Sequence, residues 1–283
     1  MRISIASYSF HGLLAEGKMD AFTYLESCRY RYGLHAADFW NGIIGTTDWD
    51  VIHKVKQGVE EREMVVANYH VDGCHLWEDS AEQRAKNRET ALLHLRIAAA
   101  IGAETVRFDT GGALEPMTNE QSDYIISTYK EYAQFAHDHG FKVGPENHWG
   151  ISLIADNMEQ IALGVDSPAY GILLHIGHWE LGDADEGDRR LGRWAVHTHV
   201  DANVTRNCLA EKVQILQEVG YTGYWGVEHH SAKNEYAEVA YQLAEVRRVL
   251  ARQTWERQSV QSIEALQGKA GNPLLTLAQE GLA

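Results

Sequence analysis

The sequence predicts an α/β protein built as a single-domain (β/α)8 barrel with a C-terminal helical tail. Short apolar runs alternate with longer amphipathic stretches along the chain, and there are eight such runs. Alternating strands and helices give a parallel sheet, and eight parallel strands with this spacing close into a barrel. An open doubly wound sheet is the alternative. It predicts a glycine-rich loop after the first strand, where the chain reads Ser9-Phe10-His11-Gly12-Leu13.

The predicted strands are brief, mostly rich in valine, isoleucine and aromatic residues, and too short for buried helices. They are Ile3–Phe10, Leu34–Trp40, Met64–Val71, Thr105–Asp109, Phe141–Glu146, Tyr170–His175, Trp194–Val200 and Tyr224–Glu228.

Amphipathic stretches with apolar residues three to four apart predict the helices. They are Met19–Tyr32, Trp49–Glu63, Ala81–Ile101, Asn119–His139, Glu211–Val219 and Asn234–Arg252, with a short charged helix expected within Gly182–Gly192. Asp48 and Ser80 precede two of these helices as N-caps, and Gly102, Gly140 and Gly220 each end one. We assign residues 1–256 to the barrel and 257–283 to a C-terminal extension.

Charge and cysteine content narrow the class of protein. The net charge of -15 disfavours binding to nucleic acid and to anionic membranes. Apolar stretches stay well below the ~18 residues that a membrane helix needs. Cys28, Cys74 and Cys208 are dispersed and form no CxxC pair, as expected in a reducing compartment. We therefore expect a cytoplasmic protein.

Carboxylates and imidazoles end each of the last four predicted strands. The chain reads Glu146-Asn147-His148, His175-Ile176-Gly177-His178, His197-Thr198-His199 and Glu228-His229-His230 at these points. A single strand-end histidine is usually a surface or hydrogen-bonded residue, but four neighbouring strands ending alike indicate a site at the mouth of the barrel. Mixed carboxylate and imidazole ligands suit Mn²⁺, Co²⁺, Fe²⁺ or Zn²⁺ better than Ca²⁺, and Mg²⁺ is less natural. The sequence therefore predicts one divalent metal ion.

On these strand-end residues the chain resembles the xylose isomerase-like barrels, the sugar phosphate isomerase/epimerase superfamily that includes tagatose and psicose 3-epimerases. The resemblance implies metal ligands at Glu146, His175, His199 and Glu228, with manganese the expected ion. The family usually has aspartate where this chain has His175, so the chain departs from the pattern there.

The resemblance also implies substrate contacts. His178 would bind a substrate oxygen beside the metal, and Arg206 would hold a hydroxyl or keto oxygen. Two further candidates follow from position alone. Trp40 ends the second strand and offers a flat face to a sugar ring, with core packing as the alternative. His70, at the end of the third strand, is a candidate substrate contact or proton shuttle.

The chemistry implied by the resemblance moves a proton beside a carbonyl through an enediolate. Glu146 and Glu228 would take and return the proton, giving an epimer or an aldose–ketose isomer of a keto or aldo sugar or cyclitol. A lyase or dehydratase that eliminates a group from a keto sugar or 3-keto-glycoside is the alternative, with His148 or His178 as base. A non-catalytic sugar-binding barrel is the second alternative.

The expected partner is a small carbohydrate, and we expect a homo-oligomer. A phosphodiesterase acting on DNA is disfavoured by the absence of a Lys/Arg cluster. Phosphorylated sugars are disfavoured because the loops after the seventh and eighth strands, Asp201–Val204 and His229–Ala232, lack glycine.

Overall fold

The computed structural model describes the backbone of residues 1–269 and the side chains of residues 1–255. All eight predicted strands are present there, although several are shorter than predicted. They are β1 Ile3–Ile5, β2 Ala36–Trp40, β3 Val65–Val71, β4 Thr105–Phe108, β5 Lys142–Gly144, β6 Ile172–His175, β7 Ala195–Val200 and β8 Tyr224–Val227. The first run shortens most, because Ser7–Phe10 forms a 3-10 turn over the barrel mouth instead of continuing β1.

Eleven α-helices lie within the described backbone. They are α1 His11–Ala15, α2 Ala21–Glu26, α3 Asn41–Ile44, α4 Trp49–Glu61, α5 Ala81–Ile101, α6 Asn119–His139, α7 Ala155–Val165, α8 Ala184–Leu191, α9 Ala202–Asn207, α10 Leu209–Glu218 and α11 Glu235–Lys269. No helix within residues 1–269 combines the length and hydropathy that a bilayer-spanning segment requires.

Helix prediction succeeded best where capping signals were strong. The bounds of α5 and α6 are those predicted, Asp48 and Ser80 cap α4 and α5, and Gly102 and Gly140 adopt the left-handed conformation. The predicted helix Met19–Tyr32 divides into α2 and a π-helical turn, Ser27–Arg31.

Two helices differ from prediction in other ways. Helix α7 was missed, and its N-cap residue Ile154 offers no side-chain cap. Helix α11 extends past the predicted end at Arg252 to Lys269, into the assigned extension, and residues 270–283 lie outside the described part of the chain.

The strands pair in parallel and close into a cylinder, which confirms the predicted (β/α)8 class. Two four-stranded sheets, ordered β1-β8-β7-β6 and β2-β3-β4-β5, meet along two seams. One seam is bridged between Ala6 and Asp38, and the Tyr24 hydroxyl there donates to the Ile5 carbonyl at 2.6 Å. The other seam, between β5 and β6, is bridged between Val143 and Tyr170 and between Glu146 and Leu173.

The seam between β5 and β6 requires a residue without a side chain at position 144. A Cβ added to Gly144 would lie 1.8 Å from the Gly171 carbonyl oxygen, so the two strands approach too closely for any larger residue. This contact fixes where β5 ends and therefore where Glu146 emerges.

We expect Gly144→Ala to lower the free energy of unfolding by about 2 kcal/mol or more, because the seam must open to admit the methyl group. Urea denaturation measures this loss. Gly58→Ala in α4 is the matched control, since its Cβ would meet neighbours only at 3.4 Å or beyond and alanine favours the helix. Equal stability of the two variants would contradict the seam argument.

Candidate metal and catalytic site

Four buried side chains from four neighbouring strands converge at the carboxyl end of the barrel. Glu146, His175, His199 and Glu228 each offer a ligand atom, and these atoms all lie within 4.8 Å of one another. Glu146 Oε1 is 3.2 Å from His175 Nδ1 and 3.1 Å from His199 Nδ1. Glu228 Oε2 is 3.6 Å and 3.3 Å from the same nitrogens. The structure thus brings together the four residues proposed as metal ligands.

His199 lies between carboxylates on both sides of its ring. Its Nδ1 faces Glu146 and Glu228, while its Nε2 lies 3.1 Å from Asp38 Oδ2. Burial alone would lower the pKa of His199, but Glu228, Glu146 and Asp38 raise it well above its ordinary value. Binding of a cation would displace the Nδ1 proton and leave Nε2 donating to Asp38, the usual arrangement of a metal-binding histidine and its supporting carboxylate. The donor set therefore fits a divalent ion.

The support for His199 depends on a small residue in β8 and on an irregularity in β2. A Cβ on Gly226 would lie 2.9 Å from His197 Nε2 and 3.0 Å from Asp38 Oδ2. The pairing of β2 with β3 shifts register between Ala37 and Asp38, and such shifts re-aim side chains beside functional sites. In this position Asp38 Oδ2 lies 2.7 Å from His197 Nε2 and also contacts His199 Nε2.

Arg107 from β4 is a buried cation that sequence reasoning missed. Its Nε lies 2.9 Å from Glu146 Oε2, and its Nη1 donates to Asp72 at 2.7 Å and to Asp109 at 3.0 Å. Burial alone would raise the pKa of Glu146, but Arg107 and His199 hold it well below its usual range. Glu146 is therefore ionised at neutral pH, with Oε2 turned to Arg107 and Oε1 to the histidines.

A cavity of about 270 Å³ opens beside this cluster. Its lining residues are Tyr8, His70, Asp72, Arg107, His148, Glu228 and His230. Burial lowers the pKa of His70 to about 4, so this imidazole is neutral where its ring meets that of His199. Trp40 contacts two of the residues that line the cavity. Its indole N–H donates to Asp72 at 2.7 Å, and its ring packs edge-on against that of Tyr8.

His148 and His178 both lie close to the ligand cluster. His148 Nδ1 is 3.5 Å from Asp109 Oδ2, and the side chain is partly exposed. Burial alone would lower the pKa of His148, but Asp109 and Glu146 raise it to about 9. Burial, with the neighbouring His175, lowers the pKa of His178. The His178 ring centroid lies 4.9 Å from that of His175, and its buried Nδ1 has no hydrogen-bond partner in the described structure.

The turn that carries His178 is held from two sides. The Asn147 amide donates to the carbonyls of His175 and His178 at 2.8 and 2.9 Å. On the other side Asp188 accepts from the Gly177 N–H at 3.0 Å and from the Trp179 indole at 2.9 Å. Lys212 Nζ, buried in α10, lies 2.7 Å from Asp188 and completes this support.

Arg206 lies apart from the ligand cluster, outside the residues that line the inner cavity. It sits on α9, exposed, with its guanidinium 2.6 Å from Glu238 in α11. It lines a second cavity between the loops that follow β7 and β8. The prediction that Arg206 holds a substrate hydroxyl or keto oxygen stays a prediction, while Arg107 and His70 line the inner cavity beside the ligand cluster.

The residues that sequence reasoning missed have weak local signals. Arg107 and Asp38 each interrupt a short apolar strand, and in a barrel such residues point into the interior. The sequence signal that could have identified Arg107 and Asp38 as site residues is a charged residue inside a predicted apolar strand. His230, whose Nε2 lies 3.0 Å from Glu228 Oε2, resembles any surface histidine in sequence.

Comparison with known proteins agrees with this architecture. The family model of the xylose isomerase-like TIM barrel matches residues 30–253. The chain therefore belongs to the xylose isomerase-like TIM barrel family. A comparison with curated protein sequences gave no match.

Three solved structures share the fold. An L-ribulose 3-epimerase is 14% identical with a TM-score of 0.75, over 92% of this chain and 97% of its own. A 3-keto-D-glucoside 4-epimerase from E. coli is 13% identical with a TM-score of 0.71, over 87% and 99%. A probable 3-DHS dehydratase from Bacillus anthracis is 12% identical with a TM-score of 0.66, over 86% and 98%. At such identities the likeness establishes the fold, and the reaction must be argued from the site.

The support beneath His178 can be tested with two ion pairs that join the same helices. Lys212→Met removes the buried partner of Asp188, and we expect a loss of about 3 kcal/mol in the free energy of unfolding because a carboxylate stays buried without its cation. Arg189→Met removes the exposed pair with Glu218, also between α8 and α10, and should leave stability unchanged within error. Urea titration compares the variants. Equal effects would show that the turn does not depend on Lys212.

Proposed function

We propose that this protein is a divalent-metal-dependent sugar epimerase or isomerase that acts through an enediolate. The observation that carries the proposal is the convergence of two carboxylates and two imidazoles from four neighbouring strands, buried beside a cavity. A keto or aldo sugar, or a cyclitol, is the proposed substrate class, and the fold neighbours include enzymes of this kind. A cytoplasmic location and a homo-oligomer remain part of the proposal.

Glu146, His175, His199 and Glu228 would hold the ion through the four atoms described above. Two carboxylates and two imidazoles favour Mn²⁺, with Zn²⁺, Co²⁺, Fe²⁺ and Mg²⁺ as alternatives. When bound, the ion supplies positive charge that polarises the substrate carbonyl and lowers the cost of removing the adjacent proton. Asp38 fixes the ring of His199, and Arg107 fixes the second oxygen of Glu146.

Proton transfer falls to the two glutamates. Glu146 and Glu228 contact the same pair of histidines from different strands, and Glu228 also lines the cavity, which supports assigning the two proton transfers to this pair. One removes the proton and the other returns it, and return to the opposite face gives the epimer. Return to the neighbouring carbon gives the aldose–ketose isomer. His178 is the proposed contact to a substrate hydroxyl, which its buried Nδ1, unpartnered among the described residues, would bind.

A lyase is the second candidate, favoured by one observation. His148 stands at the cavity wall with Asp109 behind it at 3.5 Å, the paired arrangement of a proton-transfer histidine. A base that removes the proton beside the carbonyl gives an enediolate, which expels a leaving group one carbon further along. His148 is the proposed base, with His178 as its alternative, and the proton that it removes can pass to the departing group. The site thus accommodates elimination without further residues.

Substitution of either glutamate should remove metal and activity together. We expect Glu146→Gln and Glu228→Gln each to lower kcat by at least about 100-fold, because each change removes both a charged ligand and a proton carrier. Elemental analysis and hydrogen–deuterium exchange of ketoses in D2O measure the two effects. Glu89→Gln, an exposed substitution on α5, is the control. Full metal content with normal exchange in both variants would refute the ligand assignment.

His175 can be tested separately, since it stands where the family usually has aspartate. His175→Asp should keep one bound ion, because a carboxylate replaces an imidazole at the ligand position. His175→Ala should weaken metal binding by about 10-fold or more through the loss of one ligand. Metal titration with a chelator competitor distinguishes the variants. An unchanged metal affinity in His175→Ala would show that His175 is not a ligand.

A further inference from the structure

We propose that the cavity between the loops after β7 and β8 is a second carbohydrate subsite, so that the substrate is a neutral glycoside with at least two polyhydroxylated units. This inference rests on the proposed function, since the reacting unit is taken to occupy the inner cavity. The outer cavity measures about 440 Å³ and the inner one about 270 Å³. His230 lines both, so the two cavities adjoin at this side chain.

Size is the first argument for a two-unit substrate. Binding sites for drug-sized ligands measure about 300–1,000 Å³, and the inner cavity is smaller than this range. The inner cavity therefore suits one sugar unit. A ligand that fills both cavities would pass His230, whose Nε2 holds Glu228 at 3.0 Å. Binding in the outer cavity would in this way place the reacting unit beside the proton-transfer carboxylate.

A buried and unpartnered imidazole is the second argument. His229 lines the outer cavity, is 5% exposed, and directs Nε2 toward the Lys233 carbonyl at 3.2 Å. With the proton on Nε2, its Nδ1 is an acceptor, and no side chain or backbone group among the described residues donates to it. Buried acceptors without partners are rare and indicate a missing donor. A sugar hydroxyl supplies such a donor.

The balance of charge selects a neutral ligand. Arg206 and Lys233 line this cavity, and so do Asp201 and Glu238. Arg206 is already paired with Glu238 at 2.6 Å, and Asp201 accepts from the Val204 N–H at 2.7 Å as the N-cap of α9. Two cations against two carboxylates leave no surplus positive charge for a phosphate or carboxylate. Mixed donors and acceptors with no net charge match the hydroxyls of a neutral sugar.

The experiment compares one-unit and two-unit substrates in the metal-loaded full-length protein. Solvent deuterium exchange gives kcat/KM for D-fructose, for methyl 3-keto-glucoside and for the 3-keto derivative of a glucose disaccharide. We expect the disaccharide derivative to be preferred by about tenfold, and Arg206→Ala to remove most of that preference through a higher KM. The rate for D-fructose should change less than about twofold, because one unit never reaches Arg206.

Arg189→Ala is the matched control, an exposed arginine paired with a helical glutamate on another face. A disaccharide derivative that is turned over no better than its one-unit counterpart, or an Arg206→Ala variant that lowers both rates alike, would overturn the subsite. Competition by inorganic phosphate against the disaccharide would overturn its neutral character.

A direct binding measurement separates the subsite from the chemistry. Isothermal titration with cellobiose and with methyl glucoside, neither of which carries a keto group, reports on the cavities alone. Weaker cellobiose binding in Arg206→Ala, without isotope exchange in any ketose, would retain the subsite and refute the proposed enediolate reaction. If ketoses exchange but cellobiose and methyl glucoside bind with the same affinity in all variants, the reaction is retained and the subsite is refuted.

Discussion

The barrel mouth is organised around four buried carboxylates that need compensating positive charge. Asp38, Asp109, Glu146 and Glu228 are each less than 9% exposed, and isolated carboxylates at such depth are costly. Among the residues that the structure describes, Arg107 is the permanently charged cation that lies between them, where it meets Asp109 and Glu146. One guanidinium balances one of the four charges. Imidazoles, and in the proposed function a divalent ion, supply the remainder.

The rest of the barrel adapts to this cluster at identifiable backbone positions. Gly226 leaves space for His197 and Asp38, and the register shift in β2 turns Asp38 into the interior. At the opposite seam, Gly144 brings β5 against Gly171 and so sets where Glu146 emerges. Side chains that the period-two pattern places inside the barrel are accordingly polar, whereas barrel interiors are usually filled by branched apolar residues. At the mouth of this barrel, charged and polar side chains therefore occupy positions that apolar side chains usually fill.

Sequence reasoning succeeded for features that depend on local pattern. Eight apolar runs with polar residues at their ends predicted the strands and brought Glu146, His175, His199 and Glu228 to one rim. It failed for features that depend on contacts between residues far apart in the sequence. Arg107 and Asp38 acquire their roles from partners 39 and 161 residues away, and no local spacing encodes those contacts. The sequence pattern also does not reveal that α9 carries Arg206 outward, where it pairs with Glu238 in α11.

The identity of residue 175 sets the charge that the site presents to a substrate. In the proposed set, Glu146 and Glu228 carry two negative charges, which equal the charge of one divalent ion, while His175 adds none. An aspartate at the same place would leave the site one unit more negative and would weaken its pull on a carbonyl oxygen. Arg107 acts in the same direction, since it withdraws charge from Glu146. In the proposed function both residues would therefore strengthen the stabilisation of a developing oxyanion, a requirement that epimerisation, isomerisation and elimination have in common.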